Sequence, residues 1–273
     1  MLNDLYHAID PVAISFGPLS IRWYGLAYLF GFILAGIIIN KTSKRWGLSL
    51  TLEHILCIVS CAAIGILIGG RLGYILVYTN GAWFSNPFVI FQVWNGGMSF
   101  HGGLVGCLVF GAIGAKVIGL PYLEILDLGA VAAPVGLFFG RCANFINGEL
   151  WGAETDVPWG VVFGGLAGDI PRHPSQLYEA ALEGLVLFLI LYIMSRKNPK
   201  FKDGTYIGVF LACYGVFRFL IEFVRQPDVQ IGYLAGTNWL TMGQVLSAPL
   251  VIAGIILIIY VNFFKKEEKD EEE

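Results

Sequence analysis

The chain has 273 residues, 56% of them hydrophobic and only 14% charged, about half the charge of a water-soluble globule, so water is excluded as the main solvent of its surface. Its net charge of −3 excludes little, because the run Lys265-Lys266-Glu267-Glu268-Lys269-Asp270-Glu271-Glu272-Glu273 dominates it. The four histidines (His7, His54, His101, His173) have no metal-ligand spacing, so no metal site is expected. Gly-x-Ser-x-Gly, Walker and dinucleotide glycine patterns are all missing. The basic residues are scattered rather than patched, which argues against nucleic acid as a partner.

The first 20 residues contain Asp4, Asp10, Pro11 and Pro18 and lack a basic start, unlike a cleavable signal peptide. They read as an interfacial segment with Leu2, Leu5, Tyr6 and Ile9 as its apolar stripe. Apolar runs able to cross about 30 Å of hydrocarbon follow at 23–40, 52–77, 99–118, 127–146, 179–194, 205–224 and 241–262. The fifth is the shortest, and a tilted or half-buried segment fits it equally well. The fold class expected is an all-α polytopic membrane protein of about seven transmembrane helices. Residues 1–264 form one bundle in this reading. The loop at 78–98 carries Trp83, Phe84, Phe88, Phe91 and Trp94 and suits a headgroup interface. The longest connection, about 147–178, holds Pro158, Val161-Val162-Phe163 and Gly164-Gly165 and predicts a small extracytoplasmic head with a short hairpin. Residues 265–273 read as a charged, disordered cytoplasmic tail.

Lys41, Lys44 and Arg45 follow the first span, Arg196, Lys197, Lys200 and Lys202 the fifth, and Lys265, Lys266 and Lys269 the seventh. With seven spans these clusters share one side, which the positive-inside rule makes cytoplasmic, leaving the N-terminus outside. Lys116, near the inner end of span three, agrees. The cysteines Cys57, Cys61, Cys107, Cys142 and Cys213 all lie in predicted spans, so no disulfide framework is expected. Cys57 and Cys61, one turn apart, suit either helix packing or a metal clip, with packing favoured. Glycines crowd the spans around Arg71 and along span three, where packing explains most of them.

Away from the inner side, every basic residue is arginine: Arg22, Arg172 and Arg225 border the outer face, and Arg71, Arg141 and Arg218 lie in spans. Arginine offers a planar fork of donors suited to phosphate, which points to an anionic oxygen ligand. Internal ion pairing is the competing reading, and for Arg218 it is serious, with Glu222 at i+4 and Arg225 at i+7. The densest polar stretch is Gly140-Arg141-Cys142-Ala143-Asn144-Phe145-Ile146-Asn147-Gly148-Glu149-Leu150-Trp151-Gly152. Arg141 and Asn144 share a helix face there, and a break near Gly148 leaves Asn147 and Glu149 at the mouth. His101, before Gly102 and Gly103, is either structural or a base for a thiol or hydroxyl. Tyr24 reads by itself as an interfacial anchor.

Together these residues resemble the prolipoprotein diacylglyceryl transferase family. The resemblance rests on Gly140-Arg141-x-x-Asn144-Phe145-Ile146-Asn147-Gly148-Glu149-x-x-Gly152, Ile21-Arg22-Trp23-Tyr24-Gly25 and Met98-Ser99-Phe100-His101-Gly102-Gly103. It extends through Arg172-His173-Pro174-Ser175-Gln176-Leu177-Tyr178-Glu179 and Arg218-Phe219-Leu220-Ile221-Glu222-Phe223-Val224-Arg225-Gln226-Pro227-Asp228. It implies a multi-pass enzyme of the bacterial cytoplasmic (inner) membrane, with no cofactor. The implied reaction transfers the diacylglyceryl group of phosphatidylglycerol to the lipobox cysteine of a prolipoprotein signal peptide, forming a thioether and releasing glycerol phosphate. Catalytic roles then fall to His101, Arg141, Arg218 and Tyr24. Lipid binding falls to Arg141, Asn144, Asn147, Glu149, Gly152, Gly102, Gly103, Glu222 and Arg225. An anionic-lipid transporter or scramblase using the same arginines is the competing class, and a phospholipase a further alternative.

Overall fold

Hydrocarbon offers no partner to a backbone N–H or C=O, so the apolar runs satisfy themselves as helices. In the computed structural model, described over residues 1–17, 19–79, 81–92, 96–227 and 232–264, α1 (Leu2–Ala8) precedes an antiparallel pair, β1 (Val12–Phe16) and β2 (Leu19–Arg22). The long elements are α2 (Trp23–Arg45), α3 (Leu52–Tyr78), then the short α4 (Ala82–Ser85), α5 (Phe100–Ile118) and α6 (Tyr122–Asn147). After them come β3 (Val161–Val162), β4 (Pro171–Arg172), α7 (Ser175–Ser195), α8 (Thr205–Ile221) and α9 (Met242–Ile259). The side chains of Leu19, Val77, Tyr78, Ala82, Phe100 and His101 lie outside the description, as does the tail expected to be disordered.

Among the described residues, six helices are long and apolar enough to cross a membrane, and Gly102–Ile118 is a shorter apolar helix. The chain is an all-α polytopic membrane protein. The expectation of a short fifth span changes: that helix runs 21 residues from Ser175. Its first turn carries Ser175 and Gln176, polar yet buried, which hides the turn from a hydropathy reading. Only 11% of the apolar window of α2 is buried inside the protein, and Tyr28, Leu29, Phe30, Ile33 and Ile37 are exposed, as lipid-facing residues are.

Close packing divides the chain into two compact units, residues 36–129 and residues 1–35 with 130–273. In the first of these, α3 and α5 pair through glycines. A Cβ at Gly65 would stand 2.6 Å from the Gly106 carbonyl oxygen, and one at Gly73 would stand 2.7 Å from the Gly102 Cα. Removing side chains lets backbones touch where no hydrophobic force drives association. Arg71, on α3, spends its fork on carbonyls: Nε donates to Ile90 at 3.2 Å, Nη1 to Gly97 at 3.1 Å and to Gly96, and Nη2 to Val89 at 2.6 Å and Gln92 at 2.9 Å. It is a buried structural clamp on the loop before α5.

In the other unit, β3 and β4 form the expected hairpin, pairing Val161 with Arg172 and Val162 with Pro171. Leu2 and Tyr6 of α1 pack on its Phe145, Val161, Phe163 and Ala167 cluster, whereas Leu5 stays exposed. The apolar stripe expected of the N-terminal segment is therefore divided between protein and surroundings.

Candidate functional site

The ends of α2, α6, α7 and α8 meet the residue 147–173 head at one end of the larger unit, where α9 starts against Glu222. Each neighbour is seated by a small residue. A Cβ on Gly31 of α2 would lie 3.2 Å from the Gly136 Cα of α6, and one on Gly184 of α7 would lie 2.8 Å from the Phe138 Cα. On α8, a Cβ at Gly215 would meet the Ser247 carbonyl oxygen of α9 at 2.9 Å. These crossings bring the first turns of α2, α7 and α9 beside the last turns of α6 and α8.

The end of α6 is locally determined. Gly148 adopts φ +65°, its N–H donates to the Phe145 carbonyl at 3.0 Å, and the Glu149 N–H reaches back to the Asn144 carbonyl at 3.1 Å. This is the Schellman stop that glycine after a helix favours. It folds Glu149 over its own helix: Oε1 accepts from Asn144 Nδ2 at 2.7 Å and from Asn147 Nδ2 at 3.4 Å. Gln176 Nε2 donates to the Glu149 carbonyl at 2.6 Å, and Ser175 Oγ to the Leu150 carbonyl at 2.9 Å. Tyr24 pairs its hydroxyl with Tyr28 at 3.3 Å and lies close enough to Asn144 and Glu149 to interact with both.

One turn deeper, three arginines meet three glutamates. Arg141 Nη1 stands 2.7 Å from Glu179 Oε2, and its Nη2 stands 3.2 Å from Glu183 Oε2. Arg218 Nη1 donates to Glu179 Oε1 at 2.7 Å, and its Nη2 binds Glu222. Arg225 lies 3.2 Å from Glu222 and 3.6 Å from Glu179. Glu179 and Glu183 are fully buried, whereas Arg141 and Arg218 keep 14% and 12% of their side-chain surface. Glu222 also accepts from Thr241 Oγ1 at 2.6 Å, the residue whose capping box with Gln244 starts α9. A Cβ at Gly243 would lie 2.6 Å from Glu222 Oε1, so glycine there makes room for the carboxylate. Burying unpaired charges would be prohibitive. Here the three pairs leave the cluster formally neutral.

The head is pinned to this end. The Gly152 N–H donates to the His173 carbonyl at 2.8 Å, and that of Ala153 to Val224 at 2.9 Å. A Cβ at Gly152 would fall 2.6 Å from His173 Cβ, which is why only glycine threads this gap. Arg172 Nε donates to the Ala167 carbonyl at 2.7 Å. His173 Nδ1 faces the Tyr178 hydroxyl at 3.1 Å, and that hydroxyl accepts from Trp159 Nε1 at 2.7 Å. Burial holds the His173 imidazole below its ordinary pKa.

The family model for prolipoprotein diacylglyceryl transferase matches residues 11–260. A Nitratidesulfovibrio vulgaris protein named phosphatidylglycerol–prolipoprotein diacylglyceryl transferase is 52% identical over 92% of this chain and 94% of its own length. Relatives of the same name from Pseudomonas paraeruginosa and Oleidesulfovibrio alaskensis are 49% and 48% identical, over 93% and 97% of this chain and 94% and 96% of theirs. The chain belongs to the prolipoprotein diacylglyceryl transferase family.

Of the residues singled out in the sequence, Tyr24, Arg141, Asn144, Asn147, Glu149, Gly152, Arg218, Glu222 and Arg225 gather at this one end of the larger unit. Gly102 and Gly103 belong to the smaller unit, where Gly102 packs on Gly69 and Gly73. The His101 side chain and Asp228 lie outside the described residues. Sequence reasoning missed Glu179 and Glu183 as members of the cluster. The available signal was charge balance: two carboxylates four apart in an otherwise apolar span need buried cations nearby, and Arg141 and Arg218 were the candidates.

Proposed function

We propose that the chain transfers the diacylglyceryl unit of phosphatidylglycerol to the thiol of a lipobox cysteine in a prolipoprotein signal peptide. The observation carrying this reading is about half identity, over more than 90% of the chain, to proteins named for that transfer. The buried arginine cluster supports it, because the reaction must handle a phosphate at the membrane. The thiolate attacks the glyceryl carbon bonded to the phosphate oxygen. A C–S bond forms, the C–O bond breaks, and glycerol phosphate leaves with the electron pair. The phosphate passes from a singly charged diester towards a doubly charged monoester, so donors that tighten with developing charge lower the barrier.

Arg141 and Arg218 take the phosphate in this scheme. Each Nη nitrogen that meets a glutamate carries a second hydrogen able to donate elsewhere. His101 accepts the thiol proton, since a thiol with pKa about 8.5 is mostly protonated at neutral pH. Asn144, Asn147 and Glu149 orient the headgroup, and Tyr24 contacts lipid or the developing charge. Gly102, Gly103 and Gly152 admit the lipid closely, while Glu222 and Arg225 extend the cluster. Residues 1–264 form one bundle in the bacterial inner membrane. The N-terminus and the 147–178 head lie outside, and the lysine clusters and the tail lie in the cytoplasm.

The test is direct. Purified protein with phosphatidylglycerol and a lipobox peptide should give the thioether and glycerol phosphate in equal amounts. Folded protein giving no thioether refutes the transfer. Lipid movement between leaflets without product would mark a scramblase, and glycerol phosphate without peptide a phospholipase.

A further inference from the structure

We infer that Glu179 is a positioning residue for the transfer, sharing one carboxylate between Arg141 and Arg218 so that both forks meet a single phosphate. This rests on the assignment of the phosphate to those two arginines. Glu179 is fully buried, gives one oxygen to each arginine at 2.7 Å, and lies 3.6 Å from Arg225. Attraction for an anion cannot be its purpose, because a carboxylate beside the phosphate site opposes the lipid's charge. What it supplies is geometry. Arginine side chains have many rotamers, and a shared planar carboxylate removes that freedom before substrate arrives.

The backbone of α7 agrees independently. Over Ala180–Val186 it winds as a π-helix, a rare conformation concentrated at functional sites. Glu183, inside that segment, holds the second Nη of Arg141 at 3.2 Å. Gly184, also inside it, admits the backbone of Phe138, one turn before Arg141. The widened turn and the close approach of α6 together aim both carboxylates of α7 at the arginines.

The experiment measures kcat and KM for phosphatidylglycerol with a lipobox peptide, in wild type, Glu179→Gln, Glu179→Asp, Glu183→Gln, Arg141→Lys and the Glu179→Gln/Arg141→Lys double variant. Native mass spectrometry of bound lipid gives the folded fraction of each. Glu179→Gln should lower kcat per folded molecule about 100-fold with KM unchanged or lower, since removing a negative charge cannot weaken attraction for an anion. Glu179→Asp should recover about tenfold, and Glu183→Gln should lose about tenfold in kcat. The double variant should fall within about threefold of the worse single one, because the two groups act as a unit. A kcat for Glu179→Gln within about threefold of wild type, a loss carried wholly by KM, or a loss that tracks the unfolded fraction overturns the inference. Should Glu179→Gln not fold, unchanged kcat in both Glu179→Asp and Glu183→Gln overturns it equally. An inactive wild type would refute the transfer itself, whereas an active one with an indifferent Glu179 refutes only the positioning role.

Discussion

Two arginines of α3 and α6 look alike in the sequence and behave differently in the fold. Arg71 donates to five backbone carbonyls, and Arg141 divides its fork between two carboxylates. The difference predicts different phenotypes. Arg71→Lys strands at least two carbonyls and should cost about 2 kcal/mol or more of stability, read as a lower detergent melting temperature, while kcat per folded molecule holds. Arg141→Lys keeps the charge and loses the fork, and should lose about 100-fold in turnover; a fully active variant would rule out bidentate clamping. His173 gives the pH prediction. Burial lowers its folded-state pKa, so its contribution is complete above the unfolded value of about 6.5 and is lost as pH falls through that value towards the lower folded one. Thermal unfolding between pH 5 and 8 should therefore show a steeper acid-side loss in wild type than in His173→Gln. Identical slopes would contradict it.

At the scale of elements, the small residues decide where helices stop and how closely they pack. Gly148→Ala forces a Cβ onto φ +65° beside the Tyr6 hydroxyl, and should cost about 1–2 kcal/mol. Because Glu149 then loses the turn that folds it onto Asn144, turnover should fall with stability. The stop was legible: glycine after a polar last turn predicts it, and the hairpin at Val161-Val162 followed from a β-branched run beside glycines. The membrane helices were legible from apolar length alone. Less visible was the polar first turn of α7, because Ser175 and Gln176 read as loop until tertiary partners bury them. The π-helix that carries Glu183 has no hydropathy signal at all. Arg218 and Glu222 were foreseeable as a pair from their i+4 spacing. The link from Arg218 through Glu179 to Arg141 spans three helices and needed the fold.

Across the whole molecule, the described polar site residues of the larger unit collect where the ends of α2, α6, α7 and α8 meet the head, and the helices elsewhere expose many large apolar side chains. That division suits the proposed reaction between a lipid headgroup and a cysteine thiol. Neutral pairing of three arginines with three glutamates lets the cluster exist in an apolar bundle without bound lipid; under the proposed assignment, the developing phosphate charge would meet donors already in place. The most direct test is an experimental structure of the protein with phosphatidylglycerol bound. The phosphate should lie within about 3.2 Å of guanidinium nitrogens of both Arg141 and Arg218, with Glu179 still bridging them. A phosphate bound away from both arginines, with the Arg141–Glu179–Arg218 cluster closed and untouched, would contradict it.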